Sequence, residues 1–173
     1  MKIIDNFITD EEAKIITNYI FDNEQTVKDM GPDMYNGTSP DSLTGRWQEY
    51  NWLSSEVCGS ILIPKLSKVL PNLYIRLWAN IFRQGEGILA HHHDDVGRTS
   101  GNLYLSGPEN SKTHYARSGP VNNKIGTLTL FDSRHVHWVE PNPTVTPRIS
   151  MAFDTMEYYP DDRTFIPLGT HDD

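Results

Sequence analysis

The sequence predicts an α+β domain in which two helices come first and an antiparallel sandwich or jelly roll of short strands follows. Apolar residues recur at helical spacing within 9–22 and 53–70. From residue 73 onward, segments rich in β-branched and aromatic residues alternate with turns rich in glycine and proline. Runs of helices followed by runs of strands are typical of α+β domains. A chain of 173 residues is long enough for one such domain with a substantial core.

The N-terminal segment predicts a short strand followed by the first helix. The strand is expected over residues 3–8, and Thr9-Asp10-Glu11-Glu12 forms a capping box that starts the helix. Apolar side chains then recur on one helical face through about residue 22, which predicts a buried stripe. The stripe consists of Ala13, Ile16, Ile20 and Phe21.

A loop and a second helix are expected next. Residues 29–46 are rich in glycine, proline, aspartate and serine, which predicts either a functional lid or binding edge or a disordered segment. The second helix is expected over 53–70, where Pro64 predicts a kink or a break. Its apolar positions are Val57, Ile61, Leu62, Leu66 and Leu70.

The second half of the chain is predicted to be mostly strands. Alternation and β-branched or aromatic content favour strands over 74–82, 102–105, 126–131 and 148–153. The segment 106–124 is predicted to be a loop, and the polar residues from Pro160 onward are predicted to form an irregular tail. One domain is therefore expected, with a helical support over 1–72, a core of strands over 73–154 and a tail over 155–173.

Composition narrows the function classes. The net charge is −8 and no cluster of lysine and arginine stands out, so nucleic acid is not an expected partner. The single cysteine, Cys58, excludes an internal disulfide and is expected to be buried. No apolar run resembles a signal peptide or approaches the length needed to span a membrane. We therefore expect a reducing, cytoplasmic compartment and no membrane partner.

Histidines and one carboxylate predict a metal site. Residues i and i+2 of a strand share a face, so His92 and Asp94 can both point inward while His93 points away. His137 follows a predicted strand and its turn, which suits a third ligand from a distant strand. Two imidazoles and one carboxylate can bind ferrous iron and leave positions open. Zinc is a chemical competitor, but the carboxylate and the later Arg148 favour iron.

The register of the histidine run stays open at this point. His93 with Asp95 gives the same His-x-Asp spacing as His92 with Asp94, which we favour. His135 is the alternative to His137 as the distal ligand. A histidine-rich surface loop without a specific metal is the plain structural alternative for the run.

Four short motifs in order resemble the iron(II)- and 2-oxoglutarate-dependent dioxygenases of the prolyl-hydroxylase-like superfamily, especially small oxygenases of phages and marine bacteria. The matching segments are Trp78-Ala79-Asn80-Ile81 with Gly85, Ser100-Gly101-Asn102-Leu103-Tyr104-Leu105, Gly126 to Phe131 leading into His137-Trp138-Val139-Glu140-Pro141, and Arg148-Ile149-Ser150. The spacing to the second segment maps the His-x-Asp motif onto His92 and Asp94, whereas the spacing from Gly85 fits His91 equally well.

The resemblance implies a fold, a chemistry and a site. The fold is a double-stranded β-helix, or jelly roll, with the N-terminal helices packed on one sheet, and residues 73–154 are the catalytic core. His92, Asp94 and His137 are implied as catalytic metal ligands for Fe(II). Arg148 is implied to bind the distal carboxylate of the co-substrate 2-oxoglutarate, because a guanidinium pairs well with a carboxylate. Further candidates for binding the co-substrate are Ser150, Tyr104 and Asn80.

The implied reaction is hydroxylation. The enzyme would use O2, decarboxylate 2-oxoglutarate to succinate and act on a peptidyl residue or a small metabolite, with ascorbate as a candidate reductant. Two rival functions are a cupin-like metalloprotein and a non-catalytic metal-binding module of the same fold. Cupin sites usually carry a glutamate a few residues after a His-x-His pair, and residues 94–107 contain none.

Overall fold

Two antiparallel sheets form the body of the protein, with two helices against the larger one. The structure is a computed structural model that describes residues 1–31, 43–46, 49–93, 97–158 and 164–169. The elements of regular structure are β1 (Lys2–Ile4), α1 (Asp10–Lys28), α2 (Glu56–Val69), β2 (Leu73–Phe82), β3 (Ile88–His91), β4 (Thr99–Ser106), β5 (Lys112–Tyr115), β6 (Gly119–Asn122), β7 (Leu128–Asp132), β8 (His137–Val139), β9 (Arg148–Met156) and β10 (Ile166–Leu168). Short 3-10 helices cover Leu43–Arg46 and Trp52–Ser54.

The strand order confirms the predicted α+β jelly roll. The large sheet has the order β1-β7-β4-β9-β2-β10, and the small sheet has the order β3-β8-β5-β6. Neighbouring strands are antiparallel throughout both sheets. Strands that are neighbours in space are mostly distant in sequence, so each sheet is assembled from both halves of the strand-rich region. β1 and β10 lie outside 73–154 and still join the large sheet; the division at residues 72 and 154 stays a prediction.

Helix α1 begins as the capping box predicts and extends further than expected. The Glu12 carboxylate accepts from the Thr9 backbone N–H at 2.8 Å, and the Thr9 hydroxyl accepts from the Glu12 N–H at 3.1 Å. The helix continues to Lys28 rather than ending near residue 22, and Val27 adds a buried position one turn later. Phe21, expected in the buried stripe, is 41% exposed, so the buried stripe is narrower than predicted.

Helix α2 continues through Pro64 and is not broken there. Ser55 caps its start by accepting from the Cys58 backbone N–H at 3.1 Å. A proline inside a helix removes one backbone hydrogen bond. Leu62 and Leu66 are almost fully buried on either side of it, so packing holds the helix together there. None of the helices in the described ranges is long and apolar enough to cross a membrane.

The large sheet is buried on both faces, and the two faces differ in chemistry. Ile75, Leu77 and Ile81 of β2 join a single apolar core with residues of α1 and α2. The alternate residues Asn80 and Phe82 line a cavity between the two sheets. This alternation follows from the two-residue period of a strand. It places polar side chains inside the molecule, where only a functional site or a hydrogen-bond network can satisfy them.

Three sequence-based expectations need correction. The segment 106–124, predicted as a loop, contains β5 and β6, because Tyr115 and Val121 pack with Phe131 in a second apolar cluster. The tail expected to be irregular contains β10, which pairs with β2. In the loop predicted over 29–46, Leu43–Arg46 is a buried 3-10 helix, and residues 32–42 lie outside the described part of the chain.

Candidate metal and co-substrate site

Three histidines converge at one end of the cavity between the sheets. His91 on β3 pairs directly with His137 on β8, and His93 lies two residues further on. One ring nitrogen of each lies within 4.8 Å of those of the other two. The ring centroids of His91 and His137 are 4.2 Å apart, and that of His93 is 5.3 Å from each. This spacing suits three ligands of a single ion.

Each of the three imidazoles is held by its Nδ1 atom. The Nδ1 atoms of His91 and His137 lie 2.8 and 2.9 Å from the carbonyl oxygens of Leu89 and His135. The Nδ1 atom of His93 lies 2.6 Å from Oδ1 of Asp154. An acceptor at Nδ1 requires the proton there and leaves the Nε2 lone pair free. Histidines that bind metals usually donate their second N–H to a carbonyl or a carboxylate in this way.

Burial keeps two of these histidines neutral. Burial, with a smaller contribution from the neighbouring histidines, lowers the pKa of His91 to about 4 and that of His137 to about 3. The carbonyl that each Nδ1 atom meets acts in the opposite direction and is outweighed. A metal binds the neutral imidazole, so these two side chains are in the required state near pH 7.

The histidine run alternates in the register opposite to the one favoured from the sequence. His91 and His93 face the site, whereas His92 is exposed and is not part of the converging group. The cause is the pairing of β3 with β8, which sets His91 opposite His137 and turns the next residue outward. Asp94, and Asp95 of the alternative pair, lie outside the described residues, so the pairs His92–Asp94 and His93–Asp95 stay predictions.

His137, rather than His135, contributes to the cluster. The His135 ring accepts from the backbone N–H of Arg117 at 3.2 Å, which uses one of its two nitrogens on an exposed turn. His137 is 9% exposed and packs against Phe131 and Tyr115, whose ring centroids lie 4.8 and 5.9 Å away.

Arg148 is a buried cation at the other end of the cavity. Its side chain is 2% exposed, and burial lowers its pKa to about 10, which still leaves it charged. It donates to three hydroxyl groups: Nε to Ser111 at 3.0 Å, Nη2 to Thr113 at 2.9 Å and Nη1 to Ser150 at 3.3 Å. No carboxylate of the described residues pairs with it, so the buried charge lacks a counter-ion there.

The other three predicted co-substrate residues surround this cation in one row of the large sheet. Asn80, Ser150 and Tyr104 are direct partners across β2, β9 and β4. The guanidinium carbon lies 5.6 Å from the Tyr104 ring centroid. The buried Oδ1 atom of Asn80 has no hydrogen-bond partner among the described residues, while its Nδ2 atom is 3.5 Å from the Ser150 hydroxyl. Polar groups around Arg148 can therefore form further hydrogen bonds to a bound molecule.

A single cavity connects the histidines to the arginine. Its empty volume is about 430 Å³, including the part open to solvent. Its walls include the apolar side chains of Trp78, Phe82, Ile88, Phe131 and Val139. A small molecule bound there could meet the three imidazoles at one end and the guanidinium at the other.

Sequence reasoning missed several residues of this site. Ser111 and Thr113 lie in the segment predicted as a loop, and the alternation of Lys112-Thr113-His114-Tyr115 is the signal that indicates a strand there. Asp154 points to the same face of β9 as Arg148 and Ser150, because it follows them by an even number of residues. It was missed because the strand was expected to end at residue 153. Asn123 also approaches Arg148: the amide orientation that satisfies both of its polar atoms puts its oxygen 3.2 Å from Nη2.

Comparisons with known proteins bear on the fold. No family model matches the sequence, and no curated protein matches it. Among solved structures, a Pseudomonas putida prolyl-4-hydroxylase is 14% identical, with a TM-score of 0.65 over 91% of this chain and 92% of that one. The chain has the fold of the 2-oxoglutarate-dependent non-haem oxygenases. The alpha-ketoglutarate-dependent carbocyclase SnoK of nogalamycin biosynthesis shares this oxygenase fold at 15% identity, with a TM-score of 0.61 over 90% and 78% of the chains.

A third structure with the oxygenase fold is a Trichoplax adhaerens prolyl hydroxylase in complex with a peptide fragment of hypoxia-inducible factor. It is 15% identical, with a TM-score of 0.59 over 90% of this chain and 83% of that one. The fold class implied by the sequence motifs is thus confirmed, and the identities are too low to carry activity or substrate across. The activity has to be argued from the site itself.

Proposed function

We propose that this protein is an Fe(II)- and 2-oxoglutarate-dependent dioxygenase that hydroxylates a peptidyl residue or a small metabolite. The observation that carries the proposal is the pairing, in one cavity, of three convergent histidines with a buried arginine that lacks a counter-ion. A buried charge is costly unless it is paired. A dicarboxylate that reaches from the metal to Arg148 would supply the missing negative charge.

The donor set fits ferrous iron. Three imidazoles with Nδ1 engaged offer Nε2 atoms to one ion, and imidazole suits iron as well as zinc and copper. In the proposal His91, His93 and His137 hold the metal. The set His92, Asp94 and His137 is the alternative, and single alanine variants of His91, His92 and His93 distinguish the two. With iron and 2-oxoglutarate bound, the site would supply oxidative decarboxylation to succinate, coupled to hydroxylation by O2.

The residues around Arg148 would orient the co-substrate. A guanidinium has five N–H groups. Ser111, Thr113 and Ser150 use three of them, and the Asn123 oxygen lies 3.2 Å from Nη2. The N–H that is left on Nη1, with the Nη2 N–H that Asn123 approaches, can bind the far carboxylate of 2-oxoglutarate. Asn80 and Tyr104 would border the bound molecule, and the apolar walls would exclude water from it. The oxygenase fold and the buried arginine together favour this function over a cupin-like metalloprotein.

The deciding experiment is an anaerobic titration of the Fe(II)-loaded protein with 2-oxoglutarate. The expected result is a weak visible charge-transfer band that saturates, and O2-dependent succinate formation in the presence of ascorbate. His137→Ala should lose metal binding and the band, and Arg148→Met should keep the metal but lose affinity for 2-oxoglutarate. Arg117→Met is the matched control, because Arg117 is an exposed arginine. Metal binding without any band at saturating 2-oxoglutarate would instead indicate a cupin-like or non-catalytic protein.

A further inference from the structure

Asp154 is a buried carboxylate that contacts one of the three histidines from behind. It lies on β9, is 3% exposed and faces the small sheet. Its Oδ1 atom lies 2.6 Å from Nδ1 of His93 and accepts from the Ser100 hydroxyl at 2.6 Å. It is not part of the converging group, and within the described part of the chain it touches that group at the His93 ring.

The backbone around His93 is fixed by the same network. The His93 N–H donates to the carbonyl of Ser133 at 2.9 Å, and the Ser133 N–H donates to the carbonyl of Arg98 at 3.1 Å. The hydroxyl groups of Ser100 and Ser133 lie 3.0 Å apart. Ser133 belongs to the segment that leads from β7 to His137. The backbone of His93 is therefore tied to the segment that carries the opposite ligand, and its ring is held by Asp154 of β9.

We propose that Asp154 is a positioning residue that sets the metal affinity of the three-histidine site through His93. This inference rests on the proposed function, since it requires that His93 binds the metal. Three imidazole ligands bring no negative charge to the ion. A carboxylate on Nδ1 keeps Nε2 as the ligand atom, makes that nitrogen more basic and places a compensating charge one ring away from the metal.

The test measures Co(II) binding to the metal-free protein, with the visible absorption of the bound ion as the readout. Asp154→Asn is nearly isosteric and removes the charge, and it should weaken Co(II) binding by about 10- to 100-fold, as loss of outer-shell partners does elsewhere. Asp132→Asn is the matched control, since Asp132 is exposed and pairs with Arg134 instead of a histidine; its affinity should match wild type. Equal affinities of Asp154→Asn and wild type would overturn the inference.

A double-variant cycle separates an effect through His93 from general damage. In a His93→Ala background, Asp154→Asn should cause no further loss of Co(II) affinity, because the side chain through which it acts is gone. A further loss as large as that in the wild-type background would show that Asp154 acts by another route, and the inference would fail.

The tautomer of His93 gives a test that needs no variant. Long-range proton–nitrogen NMR spectra of the ¹⁵N-labelled metal-free protein should show His93 with its proton on Nδ1. A proton on Nε2 would contradict the inference even if Asp154→Asn did not fold. Failure of the proposed function looks different, since wild type itself would then bind no Co(II), or His93→Ala would bind it as tightly as wild type.

Discussion

One residue of register decides which histidines can reach a metal. Along the run Ala90 to Asp95 successive side chains point to opposite faces. Either His91 and His93 or His92 and Asp94 would therefore point into the cavity. The structure places His91 and His93 inward, and their Nδ1 atoms meet acceptors at 2.8 and 2.6 Å. His92 is exposed and has no place in the converging group.

A histidine scan tests this register. His91→Ala, His93→Ala and His137→Ala should each weaken Fe(II) binding by more than about 100-fold. Loss of a ligand should cost more affinity than loss of a group that only contacts a ligand. His92→Ala is the matched control and should stay within about twofold of wild type, because an exposed side chain away from the ion contributes little. The measurement is anaerobic Fe(II) titration with a competing chelator. Retained binding in His91→Ala and His93→Ala, with loss in His92→Ala, would establish the His92–Asp94 set instead.

Gly101 shows why one small residue is needed behind the site. A Cβ atom at this position would overlap the ring of Phe153 on the neighbouring strand, which is 1% exposed within the core. A ring enclosed in this way cannot move aside without disturbing the packing against the helices. The glycine of the Ser-Gly motif therefore serves core packing rather than the metal chemistry.

Gly101→Ala should lower the free energy of unfolding by about 1–3 kcal/mol, the usual cost of overpacking a core. Urea unfolding followed by circular dichroism measures the change. In a Phe153→Leu background the extra methyl group has room, so the added cost of Gly101→Ala should shrink. An equal cost in both backgrounds would mean that the ring does not cause the effect.

At the scale of elements, strand β9 organises both ends of the site. Arg148 and Ser150 lie at its start, where the co-substrate carboxylate would bind, and Asp154 lies near its end behind His93. The strand is central in the large sheet, paired with β2 on one side and β4 on the other. A central strand loses fewer backbone hydrogen bonds to fraying than an edge strand, so it holds the two ends at a fixed separation.

Helix α1 is tied to the turn after β2 by an ion pair. Arg83 donates to both carboxylate oxygens of Glu24, at 3.0 and 2.8 Å, and Lys28 lies 2.9 Å from the same carboxylate. Burial alone would raise the pKa of Glu24, but the hydrogen bonds and charges of Arg83 and Lys28 outweigh it and lower the pKa below its usual 4.5. The ionised form is therefore favoured in the folded protein.

Glu24→Gln should lower the free energy of unfolding by about 1 kcal/mol at pH 7. A carboxyl group with a lowered pKa stabilises the fold above its unfolded pKa, and this contribution disappears as the pH falls through the folded pKa. The difference in the free energy of unfolding between wild type and Glu24→Gln should thus be present at pH 7, shrink below about pH 4.5 and vanish in stronger acid. Urea unfolding across this range measures it.

Asp22→Asn is the control for this pair, because Asp22 lies on the same helix and is exposed. It should change stability little at any pH. If the loss of unfolding free energy in Glu24→Gln stays constant down to acid pH, the carboxylate charge is not what stabilises the helix at this position.

At the scale of the whole molecule, the two sheets enclose one cavity with a metal end and a cationic end. The protein without its ligands keeps Arg148 buried without a carboxylate partner among the described residues, which costs stability. Bound metal and dicarboxylate should relieve this cost, so ligand binding and global stability should be coupled. The order of binding should matter, because 2-oxoglutarate would need the metal for one end and Arg148 for the other.

Thermal unfolding tests this coupling. At 100 times its dissociation constant a ligand adds about 2.7 kcal/mol of stability, which for a chain of this size raises Tm by roughly 5–10 °C. Fe(II) alone should raise Tm, and 2-oxoglutarate should add a second increase only when the metal is present. Arg148→Met should keep the first increase and lose the second. A 2-oxoglutarate shift of the same size in the presence of a metal chelator would contradict a shared site.

The sequence by itself determined the local features of this protein. The capping box at Thr9, the period-two alternation of β7 and β9, and the placement of Arg148 and Ser150 on one face depend only on neighbours along the chain. The order of motifs also indicated the oxygenase fold. Such features are readable because the interactions that create them lie within a few residues.

Only the tertiary structure decided which side chains meet. The inward register of His91 follows from pairing with His137. Two of the three hydroxyl groups around Arg148 come from β5 and the turn before it, and Asp154 reaches His93 across 61 positions of sequence. These contacts depend on strand register, and a shift of one residue would turn each side chain to the opposite face. Local sequence patterns do not fix that register, because it is set by packing between distant strands.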